Sequence, residues 1–179
     1  PATAHRVLVA LADHGLTLDL LQCLASRLVM QLPMVSDPDR VLVAVERLVG
    51  AVRSPLSMGT LFQRDPRSLE ILLKLFSASP YLAELVIIDP ESWEQIRLGE
   101  GRPESRETLA AALATESALV AEPESVMRSL RRFKRRETLR IAYGDIVGGQ
   151  RLETVVTQLS HVADCIVQAA VASATSRLE

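Results

Sequence analysis

Apolar residues recur along this chain at intervals of three and four, with no stretch of convincing two-residue alternation, so the pattern predicts helices throughout and no sheet. Residues 4–13 and 17–31 read as the first two helices. The second carries Leu20, Leu24 and Leu28 one turn apart and is stopped by Pro33. After Asp65 and Pro66, the positions Leu69, Leu72, Leu73 and Phe76 form one stripe of the kind a buried helix face requires. A long helix is predicted from Pro123 to about Tyr143, with residues 144–150 as a break or a short turn. A last helix runs from Leu152 to about Ser176, with Leu152, Val155, Val156, Leu159, Ala163, Ile166 and Ala170 expected on its core face.

The punctuation between these segments repeats. Asp37-Pro38, Ser54-Pro55, Asp65-Pro66, Ser79-Pro80 and Asp89-Pro90 each set a capping side chain before a proline. Proline at the first helical position loses no intrahelical hydrogen bond, and the residue before it can accept one from the orphan amides, so each pair marks a helix start. Residues 98–103, with two glycines and a proline, read as a linker ahead of an Ala-rich helix from about Ser105 to Thr115. The expected architecture is all-α, a multi-helix bundle of about eight to ten helices. It comprises an N-terminal subbundle (1–100) and a C-terminal one (101–179) with a long basic helix, or both merged in one continuous domain.

The most informative polar pattern lies in that long helix, where seven basic residues fall within the thirteen positions from Arg128 to Arg140. On a helical projection Val126, Met127, Leu130, Phe133 and Ile141 share one stripe, while Arg128, Arg131, Arg132, Arg135 and Arg136 share the opposite face. Leu139 stands apolar amid the arginines. Glu137 falls near the centre of the apolar stripe, where an ionised carboxylate needs a partner, and Arg140 or Lys134 is one turn away. A structural ion pair between Glu137 and Arg140 is expected.

Composition narrows the core and the partners. With 48% apolar but only 3% aromatic residues among 179, the interior must be Leu, Val, Ile and Ala. The net charge is −2; since residues 128–140 carry +6, the rest of the chain carries −8 and offers many acidic groups to the basic face. That face permits three readings: a solvated or intramolecularly paired surface, a docking face for another domain or protein, and a nucleic-acid surface. Overall acidity and the lack of interleaved aromatics argue against the last. Cys23 and Cys165 among aliphatic neighbours, without a signal-peptide pattern, suggest a reduced, cytoplasmic setting, and charged or amide side chains interrupt every apolar run before a membrane span is reached. Pro1 stands without an initiating Met, which fits a cut or processed chain.

Candidate chemistry is sparse. His161 and Cys165 are one turn apart beside Asp164, a conceivable nucleophile and base, but the expected phase of the last helix turns His161 away from the core and leaves Cys165 on the flank, without a pocket. Trp93 reads as a packing residue. Asp37-Pro38-Asp39, the one Asp-x-Asp of the chain, has no strand before it and reads as a helix cap. No catalytic, cofactor-binding or metal-ligating residue is expected.

Two blocks of wording are distinctive. One is the run Leu130, Arg131, Arg132, Phe133, Lys134, Arg135, Arg136, Glu137, continued by Leu139, Arg140, Ile141, Asp145, Ile146, Leu159, Ser160, Ala163 and Asp164. The other runs from Asp65 through Phe76 to Ala83, followed by Asp89, Pro90 and Glu91. In these the chain resembles the bacterial glutamine synthetase adenylyltransferase/deadenylyltransferases, over roughly residues 55–171. That family moves AMP from ATP to a tyrosine of glutamine synthetase and removes it by phosphorolysis, under nitrogen signals that include a PII regulator. The resemblance implies nucleotidyltransferase domains with a Gly-Ser turn and paired aspartates that hold magnesium and phosphates. This sequence has no Gly-Ser dipeptide. It therefore resembles the helical region preceding such a domain, the first of the two by its Arg135, Arg136, Glu137 wording. ATP and magnesium are expected only in the absent domain. That domain, glutamine synthetase and PII are the expected partners, with no membrane. The candidate docking face is Arg128, Arg131, Arg132, Arg135, Arg136 and Leu139, and the chain alone is expected to act as a scaffold and to be inert.

Overall fold

The computed structural model describes residues 2–118 and 122–175, and among these it contains ten α-helices and no strand. The chain divides into two compact units, Pro1–Arg97 and Leu98–Glu179.

In the first unit the helices are α1 (Ala2–Asp13), α2 (Leu18–Gln31), α3 (Pro38–Ala51), α4 (Pro55–Arg64), α5 (Pro66–Ala78), α6 (Pro80–Ile88) and α7 (Pro90–Gly99), the last running two residues past the division. All five Asp/Ser-Pro pairs begin helices with the proline in the first turn. Asp37 accepts a hydrogen bond from the Arg40 amide, Ser54 from Ser57, Ser79 from Tyr81 and Asp89 from Ser92, so the orphan donors find partners. Asp37, half of the Asp-x-Asp, is thus a helix cap. Asp65 departs from this scheme: it accepts from the Ser68 hydroxyl at 2.6 Å and from Arg97 Nη1 at 3.1 Å, which ties the start of α5 to α7.

Packing follows the predicted stripes. Leu20, Leu24 and Leu28 are buried on α2, and α5 buries Leu69, Leu72, Leu73 and Phe76 together with Ile71 and Leu75. With three and a half turns nearly encircled, α5 is the core helix of this unit, packed against α2, α3, α4 and α6. Trp93 on α7 is fully buried. A single 3-10 turn, Leu32–Met34, ends α2 at Pro33.

The second unit is a three-helix arrangement of α8 (Arg106–Ala118), α9 (Pro123–Ile146) and α10 (Leu152–Thr175), each packed on the other two. The expected end of α10 at Ser176 lies just outside the described residues. The core joins Leu109 and Leu113 of α8, Leu130, Phe133 and Ile141 of α9, and Val162 and Cys165 of α10. The predicted face of α9 holds for Leu130, Phe133 and Ile141, whereas Met127 is exposed near the helix start.

Two expectations are corrected here. First, α9 runs through Gly144 to Ile146 instead of breaking after Tyr143. Gly144 is buried because the backbone of the 100–105 linker and the Gln150 amide bonded to it cross there: a Cβ would meet the Gln150 side chain first and lie 2.7 Å from the Gly101 carbonyl oxygen. The helix then closes through amides of Val147, Gly148, Gly149 and Gln150 that return to carbonyls of residues 143–145, with Gly149 in the left-handed region. Second, α10 is rotated from its expected phase. It buries Gln158, Val162 and Cys165, while Leu152, Val156 and Leu159 stay exposed. Its apolar arc is wider than the core it meets, so the most hydrophobic stripe did not determine the orientation. By length and composition α10 could also cross a membrane, but here one face of it is packed on α8 and α9.

The Gly101–Gly144 crossing generates a prediction. Gly144→Ala should lower unfolding stability by about 1–3 kcal/mol, the usual cost of forcing a methyl into filled space. Thermal or urea melts would read this, and an unchanged midpoint would mean that Gln150 and the linker move aside freely. A second prediction comes from Asp65, whose carboxyl is held below its ordinary value of 3.8 by the Ser68 hydroxyl and by the charge of Arg97. Its contribution to stability is present above that value and fades as pH falls through the lower folded one. Asp65→Asn should therefore lower the melting midpoint at about pH 6, and the gap to the parent should narrow progressively as pH falls below about 4.

Candidate functional site

The basic run folds as the middle of α9, and the structure divides it into two populations. Arg128, Arg131, Arg132, Lys134 and Arg135 are exposed on one side. Arg136 and Arg140 turn inward and join a chain of polar contacts through the second unit.

That chain begins on α8. Glu116 Oε1 accepts from Arg136 Nη1 at 2.6 Å, and Arg136 Nε donates to Glu137 Oε1 at 3.1 Å. The other Glu137 oxygen accepts from Arg140 Nε at 2.6 Å. Arg140 continues outward with both terminal nitrogens, Nη1 to the Arg102 carbonyl at 2.6 Å and Nη2 to Gln158 Oε1 at 2.8 Å. Gln158 then pairs with the linker backbone, accepting from the Glu104 amide at 2.9 Å and donating to the Glu104 carbonyl at 2.8 Å. One relay of side chains thus fastens α8, α9, α10 and the linker.

Burial makes the relay consequential. Glu137 is only 5% exposed and sits between Phe133 and Ile141, so its charge would be costly without the two guanidinium groups. Lys134, the other candidate partner by spacing, is exposed and takes no part. The Arg136 guanidinium also lies over the Phe133 ring, 5.2 Å from its centroid. Its proton is held more firmly than usual: burial works against the charge, but the hydrogen bonds and charges of Glu116 and Glu137 outweigh it.

The expected docking face is correspondingly smaller. Arg136 is half-buried between two carboxylates, and Leu139, read as an apolar residue among exposed arginines, is 1% exposed. The C-terminal half of α9 buries residues on a second side, where Leu139 and Tyr143 lie one turn apart. Of the basic residues, Arg128, Arg131, Arg132, Lys134 and Arg135 lie on the exposed side.

Gln158 was missed by sequence reasoning. Its signal was present, since Val155, Val162 and Cys165 bracket it at helical spacing, but the stronger Leu-rich stripe drew the phase elsewhere. Cys165 is buried and not on a flank, and burial pushes its thiol above the usual range, which makes it a poor nucleophile. His161 is half-buried, not turned directly from the core. Among the described residues no group of three or more His, Cys, Asp or Glu side chains is arranged to hold a metal ion.

Fold and relay define a helical module whose polar interior joins its own parts. The family model for glutamate-ammonia ligase adenylyltransferase matches residues 69–179, and the chain belongs to that family. Relatives named bifunctional glutamine synthetase adenylyltransferase/adenylyl-removing enzyme include one from Pseudomonas putida, 33% identical over 153 residues, which is 83% of this chain and 16% of the relative. A second, from Pseudomonas syringae pv. tomato, is 34% identical over 153 residues, covering 83% of this chain and 15% of the relative. One from Mycobacterium tuberculosis is 27% identical over 175 residues, 95% of this chain and 18% of that protein. The chain therefore spans about a sixth of the length of the relatives it matches. No solved structure gives a significant match.

If the relay holds the unit together, Glu137→Ala should destabilise it by about 3–5 kcal/mol, the cost of leaving a buried ion without its partner. Arg128→Ala, on the exposed side of the same helix, should change the melting midpoint little. Equal effects of the two would mean that Glu137 is solvated.

Proposed function

We propose that this chain is a helical scaffold within the adenylyl-transfer machinery of its family and performs no transfer itself. The observation that supports this most directly is the use of the block from Leu130 to Ile141, which carries the family resemblance. Its inward residues fill the core or form the Glu137 relay, its outward residues are mostly cations, and among the described residues no group of three or more His, Cys, Asp or Glu side chains gathers to hold a metal ion. Nucleotidyl transfer needs the reverse: fixed acids beside a phosphate cradle, where magnesium orients and neutralises the phosphates. By resemblance, the Gly-Ser turn and paired aspartates belong to a nucleotidyltransferase domain elsewhere in the longer family proteins.

In this reading the module works in the cytoplasm as a rigid support. The relatives' names give glutamine synthetase as the protein acted upon. For this chain, the substrate and the PII regulator reach the support through the catalytic domain. The exposed Arg128, Arg131, Lys134 and Arg135 supply a cationic surface for acidic groups of that domain or of the partner.

Incubating the chain with ATP, magnesium and glutamine synthetase should leave the synthetase unmodified by intact-mass analysis, while a full-length relative modifies it. AMP transfer by the 179 residues alone would overturn the scaffold reading.

A further inference from the structure

Helix α10 presents more apolar surface than its own unit covers. Its core-facing arc holds Gln158, Val162 and Cys165, flanked by Val155, Ile166, Ala169 and Ala170. Roughly a third of a turn further round lies a second stripe: Leu152, Val156, Leu159, Ala163, Val167 and Val171, spaced three or four residues apart. Its five large members are all exposed, Leu152 to 74% and Val167 to 61%. Charge is confined to the margins, at Glu153 and at Asp164, which pairs with Arg106 of α8 at 3.6 Å. Such a stripe is the seam an aliphatic helix or sheet face requires.

We propose that this stripe is covered by an aliphatic face of the remaining polypeptide in the longer family proteins, a contact within one chain and not between two copies. This rests on the scaffold reading above and names the surface through which the scaffold would act. Two observations select the occupant. One is area: five aliphatic side chains on a single helix offer several hundred Å², well below the roughly 800 Å² per partner that a stable dimer buries. No aromatic or arginine anchor lies in the stripe to compensate. The other is length: the family match includes all of α10, and the relatives hold about five-sixths of their polypeptide beyond the matched part. A tethered segment meets the stripe at an effective concentration near the millimolar range, which makes a small, anchor-free contact sufficient.

The test is thiol labelling of Val156→Cys and Val167→Cys, each compared with Gln168→Cys on the opposite, polar side of α10 and measured above the background of Cys23 and Cys165. Each variant is made in the 179-residue chain and in a full-length family polypeptide carrying this segment. At low micromolar concentration, both stripe thiols should label rapidly in the 179 residues and at least tenfold more slowly in the full-length protein, with Gln168→Cys unchanged between them. Equal rates in the two settings would overturn the proposal. So would protection in the 179-residue chain that grows with its own concentration and disappears with Leu159→Glu, since the occupant would then be a second copy. AMP transfer is assayed separately on the same proteins, so inertness of the 179 residues with unprotected stripe thiols defeats the docking contact alone.

Discussion

The second unit depends on one buried carboxylate. Glu137 lies among Phe133, Leu130 and Ile141, where removal of water would make an isolated charge intolerable, and it is held by Arg140 at 2.6 Å and Arg136 at 3.1 Å. Each arginine has further donors, and these reach Glu116 on α8, Gln158 on α10 and the Arg102 carbonyl of the linker. A hydrophobic core of Leu, Val and Ala alone tolerates sliding of helices, because its contacts are similar in many registers. A relay with fixed donors and acceptors does not. Its role here is to select one register among several of comparable apolar burial, and the rotated phase of α10 illustrates that selection. Gln158 is drawn inside by the Glu104 backbone and Arg140, although this leaves Leu152, Val156 and Leu159 in water.

The two units obtain definition by different means. In the first, prolines and capping side chains fix where each helix begins, and α5, buried around most of its circumference, gives the others a common surface to pack on. The Asp65–Arg97–Glu94 contacts add a tie between α5 and α7, without the deep burial of Glu137. Local signals suffice where helices are short and turns are tight. In the second unit three helices with longer connections carry fewer local constraints, and long-range polar contacts supply them.

This difference explains what was legible in the sequence. Helix existence, the five proline starts, the stripe of α5 and the position of Phe133 follow from local rules, because the side chain that caps or packs is named by its neighbours within one turn. Glu137 was recognisable as needing a counter-charge, but only the fold could choose Arg136 and Arg140 over Lys134. The phase of α10 was not legible, since its apolar arc is too wide for hydrophobicity to choose among orientations and the deciding partner, the Glu104 backbone, is 54 residues away. Leu139 failed for a similar reason: one exposed-looking position on a helix wheel carries no information about a second covered side. The continuation of α9 through Gly144 depended on the crossing linker, which again is a tertiary fact.

The stiffness of the second unit bears on the role proposed for it. A unit whose register is set by a buried polar relay is costly to deform, since any shift between α9 and α10 must separate Arg140 from Gln158 before new contacts form. It would therefore transmit position and not absorb motion. That is compatible with the support role proposed above. It also assigns different work to the two outward surfaces. The arginine stripe of α9 is hydrated and long in reach, so its attraction is adjustable by salt and by the acidity of whatever approaches. The aliphatic stripe of α10 has no such range and acts only at contact. On the scaffold reading proposed above, the two surfaces together would orient a neighbouring domain at a distance and seat it at close quarters.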